Sequence, residues 1–421
     1  MGPADLAQIS EEQQTQQPFD LFLIFVGANI VATTLQVGAS VSGTLPLGVG
    51  LSVIGVGALA GATLVAALAP IGTRLRVPSI VAARAALGMN GAQALALILF
   101  VTNFAWIALN NVIAASICVK LTGVGNEGVW ATLLGLLATL IVLGGPAMAA
   151  RVDRVAVPLL LVSGAVFTIA IARAPWPASS VGAVLPAEVF RGLDVVAGYQ
   201  VSWLLMFADY PRFVRSAGGA RIAVFLGLAL TALWFMPLGL IASMIAGSAD
   251  PGAMVYAVGI GWWGAVLLAL ATLTTNFVNI YMSALAFKSL RPRVSDVAGI
   301  WLIGGVGAAL GLLSTRWLDS FATFTLLLAG LLVPIGGILL ARYFVLRTDV
   351  RIADLYDASG PYTAWRGWSI AGTSAWFAGA AVFYAAQSIG GTLPSLVTSI
   401  AVYVAAEAVM ERTKNKKPSP G

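Results

Sequence analysis

Apolar runs long enough to cross a bilayer follow one another along almost the whole chain, and nothing else in it constrains the fold as tightly. They fall at about 20–43, 48–71, 91–119, 128–148, 155–174, 188–209, 219–247, 258–287, 295–314, 319–346, 367–388 and 391–410. In hydrocarbon every backbone N–H and C=O must find its partner inside the protein, so runs of this length read as helices. Twelve of them leave no room for a folded soluble domain in 421 residues. Only 10% of the residues are charged, against about 25% in soluble domains. The expected class is an all-α integral membrane protein with 12 transmembrane helices.

Positive charge orients the chain. With the N-terminus inside, all but four lysines and arginines (Lys120, Arg173, Arg191 and Arg316) fall in inner loops or the C-terminal tail. Both termini are therefore expected in the cytoplasm and the chain in the inner (plasma) membrane. The net charge of +6 comes from short basic loops and does not signal nucleic-acid binding; Arg74, Arg76 and Arg84 read as anchors for topology and lipid headgroups. Residues 1–17 are polar and Gln-rich, with no basic stretch before an apolar core, so they read as a mobile cytosolic tail and not a cleavable signal. The absence of histidine removes the usual near-neutral base and the commonest metal ligand. The lone Cys118, in an apolar run, excludes an internal disulfide or a multi-cysteine cluster.

Against this greasy background the stretch Ala271–Leu285 stands out. Thr272, Thr274, Thr275, Asn276, Asn279 and Tyr281 crowd a few turns of one membrane helix, and Thr272, Thr275, Asn276 and Asn279 share a face. Such a stripe turns from lipid towards a bundle interior or a wet cavity. Single residues of this kind usually serve as interhelical glue, but their density here points to the wall of a binding site. Two other helices look interrupted. The first carries Gly27, Asn29, Thr33, Thr34 and Gln36, and the sixth carries Gly198, Gln200 and Ser202. They lie five helices apart, an odd offset that inverts topology, and paired interruptions of this kind mark an inverted-repeat transporter with its site near the midplane.

Several stretches, in order from residue 18 to about 369, resemble one family, the nucleobase–cation symporters, permeases for cytosine, purines, uracil, allantoin and hydantoins. They are PFDLFLIFVGANI, GTRLRVPSIVAARAALG, FAWIALNN, SWLLMFADYPRF, ATLTTN and ARYFVLRTDVRIADLYDASGPYTAWRGWS. The resemblance implies the fold of sodium-coupled amino-acid transporters: a five-plus-five inverted repeat with helices 1 and 6 broken, plus two C-terminal helices. The organisation that follows is a tail at 1–18, a first repeat at 19–174, a second at 188–346, helices 11 and 12 at 367–410 and a tail at 411–421.

The resemblance also assigns residues. A sodium ion would take the carbonyls of Gly27, Ile30 and Ala271 and the hydroxyls of Thr274 and Thr275. The i, i+3, i+4 spacing of Ala271, Thr274 and Thr275 fits one helix face, although threonines in such places also bond back to their own helix. Trp106 corresponds to the family's stacking tryptophan, and Asn110, one turn on, to its edge-reading amide. Helix 6 departs from the family pattern, with Gln200 where an aromatic is common. Either the ring is stacked on one face only and Gln200 adds a hydrogen bond, or Tyr199 replaces the second platform; Ser202 matches a polar position. On helix 8, Asn276 follows the threonines, and Asn279 is preferred over it for the ligand.

The expected function is sodium-coupled import of a nucleobase or related planar N-heterocycle, with the cytosine/purine type favoured, by alternating access. The alternatives are proton coupling, or carriage of a hydantoin, allantoin or a thiamine-precursor pyrimidine. Proton coupling wants a titratable group in the membrane, whereas Asp209, Glu188, Asp194 and Glu407 all sit near helix ends, Asp209 beside Arg212 and Arg215 as an expected ion pair. A channel would want pore-lining rings repeated by oligomerisation, and a membrane enzyme a catalytic constellation that the chain lacks. The expected partners are the small heterocycle and the lipid bilayer, with the chain a monomer and a dimer as the alternative.

Overall fold

The computed structural model describes residues 6–43, 45–144, 146–176, 184–290, 293–313, 319–347 and 349–415. Arg316 and the linker at 177–183 lie outside them, as do the side chains of 146–157 and of several positions in 261–290, Ala271 and Tyr281 among them.

The regular secondary structure of the described residues is helical, apart from a single bridge between Gln16 and Val214. In order come α1 (Pro18–Asn29), α2 (Ala32–Ser42), α3 (Leu47–Leu75), α4 (Ser79–Thr122), α5 (Glu127–Leu143) and α6 (Pro146–Arg173). Then follow α7 (Pro186–Val201), α8 (Ala217–Ala246), α9 (Pro251–Ala257), α10 (Gly261–Leu290), α11 (Asp296–Leu310) and α12 (Phe321–Leu340). Last come α13 (Ile370–Ala385) and α14 (Thr392–Asn415). Among the described residues six helices are long and apolar enough to cross a membrane, or seven if the bent pair α1–α2 is one span; Glu127–Leu143 and Pro158–Arg173 are shorter apolar helices.

Three interruptions shape the bundle. Between α1 and α2 the axis turns by 56°, because Ile30 (φ −82°, ψ 74°) and Val31 (φ −140°, ψ 160°) leave helical geometry. The α-helical hydrogen-bonding of α7 stops at Val201, and the chain continues as 3-10 turns through Ser202–Met206 and Pro211–Phe213. Within α4, Gly88 (φ 81°, ψ 173°) makes a kink; a Cβ there would lie 2.5 Å from the Gly367 carbonyl oxygen, so only glycine fits.

Close backbone approach replaces hydrophobic drive in holding the helices together. Where α2 crosses α8, a Cβ on Gly38 would strike the Met236 carbonyl, and one on Gly239 the Leu35 carbonyl. Asp194 on α7 is buried, and its carboxylate accepts from the Gly391 N–H (2.7 Å), the Thr392 N–H (3.0 Å) and the Thr392 hydroxyl (2.7 Å). It thus caps the start of α14, where the helix dipole favours an anion.

The mobile tail expected from composition is corrected for residues 6–17, which are strapped across one end of the bundle. Gln14 is buried and its amide donates to the carbonyls of Thr73 (3.0 Å), Arg212 (3.0 Å) and Val214 (3.1 Å). Ile9 N–H donates to Arg76 O (3.0 Å), Arg215 Nε to Gln14 O (3.1 Å), and Glu11 pairs with Arg76 at 3.5 Å. The segment orders because it satisfies carbonyls at the end of α3 and in the turns after α7.

Candidate functional site

The α1–α2 break, the end of α7 and the middles of α4 and α10 converge on one cavity. From the break come Ala28, Val31 and Thr33; from α4, Asn103, Trp106 and Asn110; from the α7 end, Tyr199, Ser202 and Trp203; from α10, Thr275 and Asn279. Its free volume is about 60 Å³, room for about two water molecules and far below the roughly 300 Å³ at which ligand pockets begin. In this conformation the walls are drawn together.

Each wall has a local cause. A break in a helix leaves carbonyls of the last turn without intrahelical donors, and here one of them finds a partner close by. Val26 O keeps its regular bond from the Ile30 N–H (3.0 Å), whereas Asn29 O accepts the Thr34 hydroxyl (2.6 Å). On α4, Asn103, Trp106 and Asn110 follow i, i+3, i+7 spacing, which puts all three on one face. Trp106 is half-buried and held edge to face against Tyr199 (centroids 5.7 Å apart, planes at 80°) and Phe324 (5.0 Å, 73°). Tyr199 is buried, its hydroxyl 2.8 Å from Thr34 Oγ1 and 3.1 Å from Thr33 Oγ1. Two near-perpendicular aromatic faces therefore meet at the cavity, each fixed by its neighbours.

The polar wall contains one open position. Asn110 is buried, and its Oδ1 has no hydrogen-bond partner. A buried acceptor left unpaired costs about 1–3 kcal/mol, a cost that a donor arriving in the cavity would remove. Asn103 instead spends its amide on Ser283 Oγ at 2.7 Å, and Ser202 Oγ donates to Tyr199 O at 2.6 Å.

The structure brings Trp106, Asn110, Tyr199, Ser202, Asn279 and Thr275 to this cavity and leaves two expected ligand residues outside it. Gln200 is buried with its amide donating to Leu228 O on α8 at 3.0 Å. Asn276 is buried with its amide donating to Asn111 Oδ1 at 2.7 Å and Ile107 O at 3.3 Å, which makes it interhelical glue. Both miss for one reason: consecutive or near-consecutive residues of a helix face different directions, and Tyr199 and Asn279 are the neighbours that point inward. Of the expected cation ligands, Gly27 and Ile30 lie at the break and Thr274 is buried on α10. Ala271 lies on α10 with its side chain outside the described residues. The oxygens of such a set are neutral carbonyls and hydroxyls, the chemistry a monovalent cation takes. No group of three or more His, Cys, Asp or Glu side chains is poised for a metal among the described residues.

Thr33, Asn103 and Trp203 also line the cavity and belong on the list of contacts. Asn103 was within reach of helical spacing from Trp106. Trp203 was not, because it lies in the 3-10 turns beyond α7, where α-helical periodicity no longer applies. Of the carboxylate and arginines expected to pair at the end of the sixth helix, Asp209 has Arg212 close enough for their charges to attract and also accepts from the Ser79 hydroxyl and backbone N–H at the start of α4, while Arg215 donates to Gln14 O in the N-terminal strap.

Comparison with known proteins gives a consistent result. Residues 8–404 match the model of a family described as permease for cytosine/purines, uracil, thiamine, allantoin. The Bacillus subtilis protein YxlA, whose name assigns it to the purine-cytosine permeases, is 26% identical over 388 residues, covering 84% of this chain and 82% of its own. The hydantoin permease of Microbacterium maritypicum is 38% identical over 109 residues, 24% of this chain and 21% of its own. Among solved structures, Mhp1, a nucleobase-cation-symport-1 family transporter, superposes with a TM-score of 0.77 in a closed conformation with bromovinylhydantoin bound (19% identity, covering 98% and 96% of the two chains). Its inward-facing conformation superposes at 0.79 (21% identity, 98% and 93%). A Na+-coupled sialic acid symporter shares the fold more distantly, at 0.60 (11% identity, 94% and 91%).

Proposed function

The chain belongs to the family of permeases for cytosine/purines, uracil, thiamine and allantoin, and from that premise we propose that it imports a nucleobase or related planar N-heterocycle, cytosine or purine type, coupled to sodium, by alternating access. It is a multi-pass membrane transporter of small heterocycles and not an enzyme. The observation that carries the finer reading is the single cavity shared by Trp106, Tyr199, Asn110, Asn279 and Thr275. Of the two near-perpendicular aromatic side chains, one can stack on a flat ring while the other meets its edge, and amides suit its hydrogen-bonding edge.

In this reading Trp106 and Tyr199 hold the ring. Asn110 and Asn279 read its edge, and Ser202 lines the end near Tyr199. The cation sits between the α1–α2 break and α10, on the carbonyls of Gly27, Ile30 and Ala271 and the hydroxyls of Thr274 and Thr275. The two broken elements belong to inverted halves of a five-plus-five repeat within twelve spans, both termini are cytoplasmic and the membrane is the inner one. A cavity of about 60 Å³ must widen to admit a ring, as alternating access requires. Proton coupling is the weaker reading, because Asp194 is held by three donors and Asp209 by Ser79.

A thermal-shift panel of cytosine, uracil, hypoxanthine, allantoin and hydantoin, run with and without sodium, tests this. One ring should stabilise the protein by mass action, and more strongly with sodium. Stabilisation that ignores sodium but responds to pH would replace the coupling ion.

A further inference from the structure

A chain of hydroxyls joins the ring end of the site to the helix break. Thr34 is fully buried at the start of α2, and its Oγ1 stands 2.6 Å from Asn29 O and 2.8 Å from the Tyr199 hydroxyl. Thr33 Oγ1 stands 3.1 Å from the same phenol. Counting protons orders the chain. A carbonyl can only accept, so the single Thr34 proton goes to Asn29 O; Tyr199 must then donate to Thr34, and Thr33 to Tyr199. The result is Thr33 → Tyr199 → Thr34 → Asn29 C=O, a run in which each bond polarises the next. Its second member, Tyr199, is the aromatic platform edge-on to Trp106. Its last member is the carbonyl immediately before Ile30, at the 56° turn.

We propose that Thr34 is a positioning residue that couples ring binding to cation binding, by tying the orientation of Tyr199 to the conformation of the α1–α2 break. The proposal rests on the sodium-coupled reading above and deepens it. If a cation draws carbonyls of the break into a fixed arrangement, Asn29 O is fixed with them, and the hydroxyl chain then holds Tyr199 ready for the ring. The converse follows from linkage, since each ligand must change the other's affinity by the same factor. A merely structural Thr34, capping an orphan carbonyl, would affect stability but leave that factor alone.

The test uses the full chain in lipid nanodiscs and measures binding of cytosine, uracil, hypoxanthine and hydantoin with sodium or with choline in its place. Wild type should show a sodium enhancement in the range of about 5–150-fold for the ring it binds. Thr34→Val, which keeps the shape and loses the hydroxyl, should bring the enhancement close to one. Thr34→Ser should restore it. Tyr199→Phe should reproduce the valine variant, and the double variant should lose no more coupling than either alone. A wild-type enhancement retained in Thr34→Val overturns the proposal and leaves sodium coupling standing. A wild type that binds a ring with no sodium enhancement, or binds none of the four, overturns that reading and the proposal with it. Should Thr34→Val fail to fold, Thr34→Ser and Tyr199→Phe decide: loss of coupling only in the latter supports the chain, and retention in both overturns it.

Discussion

Trp106 is fixed on three sides by rings, with Tyr199, Phe321 and Phe324 all meeting it near edge-on, so its exposed face is pre-organised. Trp106→Ala should cost roughly 1–3 kcal/mol of ring affinity, the scale of base–aromatic stacking, measured by titration on folded protein. The two asparagines of α10 separate by role. Asn276→Ala should lower thermal stability by about 1–3 kcal/mol, because it strands the Asn111 carboxamide, and should leave the affinity of surviving protein near wild type. Asn279→Ala should do the reverse, with the ring's Kd rising and the melting temperature little changed. At this scale the sequence was informative in part. Trp106 and Asn110 were legible because the family resemblance assigned both, and residues four apart on a helix share a face. Asn279 was also preferred over Asn276, but Tyr199 against Gln200 was left open, because the rotation of α7 is set by what it packs on, and Leu228 O is distant in sequence.

Among the elements, the break in the first helix was foreshadowed by Gly27 and its polar neighbours, and the turn at Ile30 and Val31 falls among them. The N-terminal strap was not foreshadowed. A polar, Gln-rich stretch reads as disordered when judged by composition, yet Gln14 reaches carbonyls 59, 198 and 200 residues away. Gln14→Ala should therefore release the strap. Cleavage by a Glu-specific protease at Glu11 and Glu12 should quicken, and the melting midpoint should fall by the equivalent of about 1–3 kcal/mol. Cleavage at the wild-type rate would mean that the segment is held by its other contacts, among them the Ile9 and Arg215 hydrogen bonds and the Glu11–Arg76 pair. The close crossing of α2 and α8 through Gly38 and Gly239 could not be read from either glycine, since glycines recur throughout the chain.

For the whole molecule, the class was legible from hydropathy alone, because backbone in lipid has few choices. The motif order carried the family. What neither carried is the contraction of the cavity to about 60 Å³, a property of how the helices sit and not of any one of them. A transporter must pass through contracted and open arrangements of the same walls, and a gradient must bias the passage. The direct measurement is uptake of a labelled ring into proteoliposomes under an inward sodium gradient, with equilibrated sodium and an imposed proton gradient as the other two arms. The account predicts accumulation above the bath only in the sodium arm, and its loss in Trp106→Ala. Uptake that stops at the bath concentration in every arm, or accumulation in the proton arm alone, would contradict it.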